Sequence, residues 1–215
     1  MKRFLFFDLD GTLTDPGIGI TNSVMYALKT YGIVEEDREK LYPFIGPPLS
    51  ESFQKYYGFT PEQGNEATWR FREYFSQTGI FENALYEGIP ELLQALCDAG
   101  FSPVLATSKP ELFAERILEH FSLRSYFSHV CGAAMDEKTR SEKKDVIAYA
   151  FAETGADPAE TWMIGDRKYD VLGGKAFGMK TVGVLYGYGS REELTEAGAD
   201  FICETVSDLK EVLFS

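Results

Sequence analysis

The run Phe4-Leu5-Phe6-Phe7-Asp8-Leu9-Asp10-Gly11-Thr12-Leu13 sets the architecture of this chain. Its four consecutive apolar residues predict a fully buried strand of a parallel sheet, because such strands are covered on both faces and lose the usual alternation. The strand stops at a carboxylate, passes one residue, offers a second carboxylate and turns at Gly11. Ligands of open parallel sheets bind just outside the carboxyl ends of the strands. Asp8 and Asp10 therefore fall where chemistry is done, and a buried carboxylate without a partner is costly. A cation lying between the acids answers that cost. Alternatively, one acid is a nucleophile and the other handles protons. The competing reading is an acidic strand-to-turn junction closed by Gly11 with no chemical role.

Beyond Thr12, Asp15-Pro16-Gly17 signals a turn. Ile20, Val24, Leu28 and Tyr31 then repeat at helical spacing, and Gly32 is placed to end that helix. The stretch to about residue 85 reads as mainly helical. Thr60-Pro61-Glu62-Gln63 forms an expected capping box, and Phe53, Tyr56, Tyr57, Phe59, Trp69, Phe71, Tyr74 and Phe75 show no strand alternation. The plain account of these aromatics is that a small bundle needs bulky side chains in its core.

From Gly88 the pattern changes. Pro90 opens a helix, residues 102–106 form a short strand ending at Thr107-Ser108-Lys109, and Pro110 starts a helix that turns Phe113, Ile117, Leu118 and Phe121 inward. Further strands are expected near 128–131, over 161–165 ending at Asp166, over 180–185 and at 201–203, with a helix near 142–154 and another at the C-terminus. Ser190 and Glu193 suggest a second capping box. Strands alternating with helices of this length indicate βαβ units. The expected fold is α/β: a Rossmann-like parallel-sheet core over 1–15 and 86–215, with a helical cap domain over 16–85 inserted after the first strand.

Composition narrows the partners. With 21 basic and 34 acidic residues, the 215-residue chain carries a formal charge of −13, which repels nucleic-acid polymers and anionic membrane surfaces. A small anionic substrate stays possible where a metal and a lysine reverse the field locally. No apolar run approaches the roughly 20 residues that span a bilayer, and the run after Met1-Lys2-Arg3 is too short for a secretory signal core of about 7–15 residues. The expected location is cytoplasmic. Cys97, Cys131 and Cys203 read as reduced, small apolar residues, and His120 and His129 lack partners at metal-ligand spacing.

Strand ends now carry Asp8 and Asp10, Thr107 and Ser108, and Asp166 followed by Asp170, with a lysine entering the helix near residue 143. This set contains what phosphoryl transfer needs: a nucleophile, a proton shuttle, a hard-cation site, and cationic and hydroxyl donors for phosphoryl oxygens. It resembles, motif by motif, the haloacid dehalogenase superfamily in its phosphatase form. Asp8-Leu9-Asp10-Gly11-Thr12-Leu13 is similar to the first motif and Ala106-Thr107-Ser108-Lys109 to the second. Glu142-Lys143-Lys144-Asp145-Val146-Ile147 resembles the third, with Lys143 favoured over Lys144 by its distance from Val146-Ile147. Ile164-Gly165-Asp166-Arg167-Lys168-Tyr169-Asp170-Val171 resembles the fourth, which binds the metal.

The resemblance implies Asp8 as nucleophile, Asp10 as acid and base, and Thr107 and Lys143 as further catalytic residues. Leu9, Ser108 and Lys109 would serve the phosphate. It also implies Mg²⁺ held by Asp8, the backbone carbonyl of Asp10 and Asp166, with Asp170 acting through water or by orienting the lysine. The insert stands where the superfamily's helical cap stands, and Phe44-Ile45-Gly46-Pro47-Pro48-Leu49 is similar to the substrate-facing cap loop of phosphoglycolate phosphatase-like members, which makes Gly46 a substrate-binding candidate. The implied activity is Mg²⁺-dependent hydrolysis of a small phosphate ester, such as a nucleoside 5′-monophosphate or phosphoglycolate, by a monomer or homodimer. A dehalogenase would not need Asp10. A sugar-phosphate mutase shares these core motifs, and a phosphoacceptor signalling domain also uses a strand-end Asp, a Thr and a Lys.

Overall fold

The computed structural model describes residues 3–136 and 138–215. The N-terminal apolar run forms strand β1 (Arg3–Phe7), in which Leu5, Phe6 and Phe7 are buried. Short β2 (Thr14–Asp15) follows, then helix α1 (Gly17–Lys29), α2 (Leu49–Tyr57), α3 (Pro61–Phe75) and short β3 (Ala84–Leu85). From there strands and helices alternate: α4 (Ile89–Asp98), β4 (Phe101–Pro110), α5 (Glu111–His120), β5 (His129–Ala133), α6 (Lys143–Thr154), β6 (Trp162–Gly165), α7 (Lys168–Ala176), β7 (Lys180–Val184), α8 (Arg191–Glu196), β8 (Phe201–Cys203) and α9 (Val206–Leu213).

The main sheet has the order β5-β4-β1-β6-β7-β8, and its strand pairs are parallel. The first strand is central because the chain builds outward from it twice, through β4 to β5 and then through β6 to β8. This reversal creates a switch point at the carboxyl end of β1, where ligands of such sheets bind. Beneath that edge Phe6, Val104, Ala106, Cys131, Val146, Ile147 and Met163 pack as a continuous buried cluster. The Cys131 thiol is pushed up to about 12, by burial first and then by Glu111 and Glu153, as suits a core residue.

Two local expectations are corrected. The strand at Thr107 runs over Phe101–Pro110 and not only 102–106, and its register with β5 slips between Thr107 and Pro110. There the N–H of Lys109 donates to Thr107 Oγ1 at 3.2 Å, so a side chain replaces the ladder and the strand bends. The second concerns Ser190 and Glu193. Ser190 does cap α8, accepting from the N–H of Glu193 at 3.1 Å. The carboxylate of Glu193 does not return the bond. It pairs with Arg167 Nε at 2.9 Å and accepts from the N–H of Lys168 at 2.9 Å. A charged partner outcompetes a local neutral donor.

Contacts divide the chain into two compact units, Met1–Asp15 with Leu85–Ser215, and Pro16–Ala84. The second unit is helical. Its third helix begins at a complete capping box, with Thr60 Oγ1 accepting from the N–H of Gln63 at 3.3 Å and Gln63 Oε1 accepting from the N–H of Thr60 at 2.9 Å. Phe44, Phe53, Phe71 and Phe75 are buried, and Phe53 stacks on Phe59 with centroids 5.8 Å apart, so much of the aromatic content is core. Among the described residues no helix is long and apolar enough to cross a membrane.

Candidate active site

The site starts from the turn after β1. Asp8 leaves the strand buried, its N–H still donating to the Ile164 carbonyl at 2.9 Å. The carbonyl of Leu9 then accepts from the N–H groups of Thr12, Leu13 and Thr14, winding the chain into a tight loop. The Leu9 side chain is fully buried, so any part it plays toward a ligand falls to its backbone N–H. Gly11 has φ +79°, and a Cβ there would lie 2.1 Å from Asp166 Oδ2. Only glycine lets the first acidic turn approach the acid at the end of β6 so closely.

Lys143 opens α6 and is nearly fully buried. Its Nζ lies 2.8 Å from Asp8 Oδ1 and 2.7 Å from Asp170 Oδ1, and it donates an aligned hydrogen bond to the Ala106 carbonyl at 3.0 Å. Burial works against this ammonium, but the carboxylates of Asp170 and Asp8 outweigh it and push its pKa up. Its neighbour Lys144 is exposed and pairs with Glu142 at 2.8 Å. Of the two lysines, only Lys143 stands among the acids.

On the other side of the turn, Lys109 Nζ lies 2.8 Å from Asp10 Oδ2. Burial raises the pKa of Asp10, with Lys109 opposing. Thr107 is buried at the bend of β4, and Ser108 between them is half-buried. From β6 and the start of α7, Asp166 and Asp170 are both buried. Asp170 Oδ2 accepts from the N–H of Arg167 at 3.1 Å, and Asp166 Oδ2 accepts from the N–H of Tyr188 at 2.7 Å. Burial pushes the Asp170 carboxyl up to about 6, with Lys143 opposing, while burial followed by the charges of Asp170 and Asp8 holds Asp166 well above the usual range.

One oxygen from each of Asp8, Asp166 and Asp170 lies within 4.8 Å of the others. Asp166 Oδ1 and Asp10 Oδ1 are buried and accept no hydrogen bond. Asp8 Oδ1 and Asp170 Oδ1 meet Lys143 as ion pairs, without an aligned hydrogen bond. Buried polar atoms normally find a donor. An orphaned oxygen among clustered carboxylates fits a hard divalent cation, which takes oxygen ligands.

Asp8, Asp10, Thr107, Ser108, Lys109, Lys143, Asp166 and Asp170 all belong to the first unit and sit at the carboxyl ends of β1, β4 and β6 or at the first turns of α6 and α7. Gly46 is not among them. It lies in the second unit, between the 3₁₀ turn Glu39–Phe44 and α2, with φ +106°. Sequence reasoning missed the pairing of Lys109 with Asp10 and the contact from Tyr188 to Asp166. The signal for the second was present in Tyr186-Gly187-Tyr188-Gly189, a glycine-punctuated run just after a strand end.

Fold and site together define an α/β enzyme that gathers four acids, two lysines and a threonine at the switch point of a parallel sheet. Residues 5–184 match the haloacid dehalogenase-like hydrolase family, and the chain belongs to it. A 5′-nucleotidase of Pseudomonas aeruginosa is 43% identical over 98% of this chain and 95% of its own length. The tyrosine-protein kinase PtkA of Mycobacterium tuberculosis is 36% identical over 98% of this chain and 72% of its own length. Among solved structures, a protein described as a predicted phosphatase from Clostridium acetobutylicum superposes with a TM-score of 0.96 at 45% identity, covering 100% of this chain and 99% of the other. Within the family the chain falls among the phosphatases.

Proposed function

We propose that this protein is a Mg²⁺-dependent phosphate monoester hydrolase that works through an aspartyl phosphate on Asp8, with nucleoside 5′-monophosphates as its substrate class. The observation that carries the reading is the ion-paired Lys143 between Asp8 and Asp170, beside a buried Asp166 oxygen that has no donor. Asp8, Asp166 and the Asp10 carbonyl would hold the cation. Asp170 is already engaged by Lys143 and the N–H of Arg167, which suits it to orienting the lysine. When bound, Mg²⁺ supplies positive charge that screens the acids from an incoming phosphate.

Asp8 attacks phosphorus, so a bond forms from its carboxylate oxygen as the phosphorus–ester oxygen bond breaks. Asp10 gives its proton to the leaving oxygen, and its raised pKa supports that role. Asp10, now a carboxylate, takes a proton from the water that attacks the acyl phosphate. Inorganic phosphate departs and Asp8 is restored. Lys143, the Thr107 hydroxyl and the backbone N–H groups that follow Asp8 and Thr107 stabilise the phosphoryl oxygens, with Ser108 and Lys109 beside them. The second unit acts as the cap that selects the substrate, with the loop around Gly46 contributing.

The nucleotide reading is supported by the 43% identity to a 5′-nucleotidase and by aromatic side chains that the second unit leaves exposed, including Tyr42, Tyr56 and Trp69. Stacking on such a face is worth about 1–3 kcal/mol per base. The test is catalytic efficiency on nucleoside 5′-monophosphates, phosphoglycolate and sugar phosphates at one Mg²⁺ concentration. Nucleotides should lead. A hundredfold or greater preference for phosphoglycolate, on the order of 3 kcal/mol of discrimination, overturns the substrate class. Isomerised product without free phosphate would make the enzyme a mutase, and phosphotyrosine formed in place of free phosphate would make the acceptor a tyrosine.

A further inference from the structure

Strand β7 runs out at Val184 into Leu185-Tyr186-Gly187-Tyr188-Gly189-Ser190, a loop to which the proposed chemistry gives no role. Its contacts converge on the cation site. The N–H of Tyr188 donates to Asp166 Oδ2 at 2.7 Å. The Tyr188 hydroxyl donates to Asp15, and the Tyr186 hydroxyl donates to the Thr12 carbonyl at 3.2 Å. Tyr86 packs edge-on against Tyr186, with ring centroids 4.8 Å apart. A Cβ on Gly187 would stand 2.2 Å from the Gly11 carbonyl oxygen and 2.5 Å from Asp166 Oδ2. One on Gly189 would stand 1.9 Å from the Asp166 carbonyl oxygen. The loop is therefore pressed against both acidic turns, and neither glycine can carry a side chain without moving one of them.

The two oxygens of Asp166 end up in different states. Oδ2 is tied down by a backbone donor, and Oδ1 is buried with none. A carboxylate clamped by one oxygen cannot rotate away, so its other oxygen is presented at a fixed place. We propose that loop 185–190 is the positioning element of the cation site. The Gly187-Tyr188 backbone orients Asp166, and the hydroxyls of Tyr186 and Tyr188 strap the loop to residues 12–15, just beyond the first acidic turn. This rests on the reading of the site as a Mg²⁺ site. Partners that orient a ligand without touching the metal are typically worth about 10–100-fold in metal affinity.

The test titrates MgCl₂ into chelator-stripped protein, reading affinity by calorimetry, with the metal-free melting temperature measured in parallel. Wild type, Tyr186→Phe/Tyr188→Phe and Gly187→Ala are compared. The double phenylalanine variant keeps the rings and removes the two hydroxyl tethers, so it should melt close to wild type without metal yet bind Mg²⁺ about tenfold more weakly. Gly187→Ala should bind at least as weakly. If Gly187→Ala does not fold, the double variant decides alone. Wild-type affinity in the folded variants overturns the strap while leaving the Mg²⁺ reading intact. A wild-type protein that takes up no Mg²⁺ overturns that reading and the strap with it.

Discussion

The two units differ in where buried polar atoms are left without a hydrogen-bond partner. In the helical unit the buried hydroxyls are satisfied at home. Thr21 donates to the Gly17 carbonyl at 2.7 Å, Ser23 to Gly19 at 2.6 Å, Ser52 to Pro48 at 3.1 Å and Thr68 to Gly64 at 2.9 Å. In the sheet unit Thr161 donates to the Asp157 carbonyl at 2.7 Å and Thr181 to Asp200 at 3.0 Å. Among the described residues, however, oxygens of Asp8, Asp10, Thr12, Thr14, Asp166 and Asp170 are buried there without an aligned hydrogen bond, those of Asp8 and Asp170 ion-paired to Lys143. Satisfied groups hold a fold together, whereas Asp10 Oδ1 and Asp166 Oδ1, buried with no donor, are open to a ligand. The difference separates structural polarity from working polarity without reference to any relative.

The comparison breaks first at Asp8. Asp8→Asn should lower turnover by about 10⁵–10⁶-fold, the scale seen when a nucleophile is removed, and rapid-quench experiments should trap no acyl phosphate. Substantial residual turnover would remove Asp8 from that role. Asp10→Asn should cost about 10²–10⁴-fold in kcat, the usual weight of general acid–base catalysis, with Mg²⁺ affinity nearly unchanged because the backbone carbonyl is the proposed ligand. A fall in affinity with intact kcat would reverse the assignment.

Lys143 sharpens it next. Lys143→Ala leaves the buried carboxylates of Asp8 and Asp170 without their cation, and breaking such a pair typically costs about 3–5 kcal/mol of stability. Urea unfolding of the metal-free protein should show it, and turnover should fall as well. Lys144→Ala should change neither, because that side chain is in solvent. The opposite order would mean that the wrong lysine has been placed in the site.

A subtler effect concerns pH. Burial holds the Asp170 carboxyl at about 6 and Asp166 well above its ordinary range. The metal-free folded protein therefore keeps protons that the unfolded chain, with carboxyl pKa values near 4, releases. Its stability should decline as pH rises from about 4 through about 6, and the melting-temperature gain from Mg²⁺ should grow over the same window. A gain that is flat across these pH values would deny the coupling. The smallest effect belongs to the helical unit. Thr68→Val removes a satisfied hydroxyl and should cost no more than about 1.5 kcal/mol, with kcat unchanged.

Much of the site was legible because its chemistry sits at strand ends, and strand ends are legible. An unbroken apolar run followed by Asp8, a glycine at 11, and the recurrence of acids and hydroxyls after later strands mark a parallel sheet edge before any coordinates. Local signals written within a few residues also survive into the structure, as the Thr60–Gln63 capping box does. Glu193 shows where such reasoning stops: the local pattern offered it the N–H of Ser190, but Arg167, 26 residues away in sequence, claims it.

Sequence alone therefore determined the alternation of strands and helices, the family resemblance and which residue types meet at the edge, because these depend on periodicity and on neighbours in the chain. Tertiary structure decided the pairings. It set Lys143 between two carboxylates and left its neighbour Lys144 in solvent, because successive helical residues point about 100° apart. It joined Lys109 to Asp10, and it brought the backbone of Tyr188 against Asp166. Electrostatic and hydrogen-bond partners are chosen by distance in space, and the sheet order that creates those distances is settled only when the whole core packs around β1.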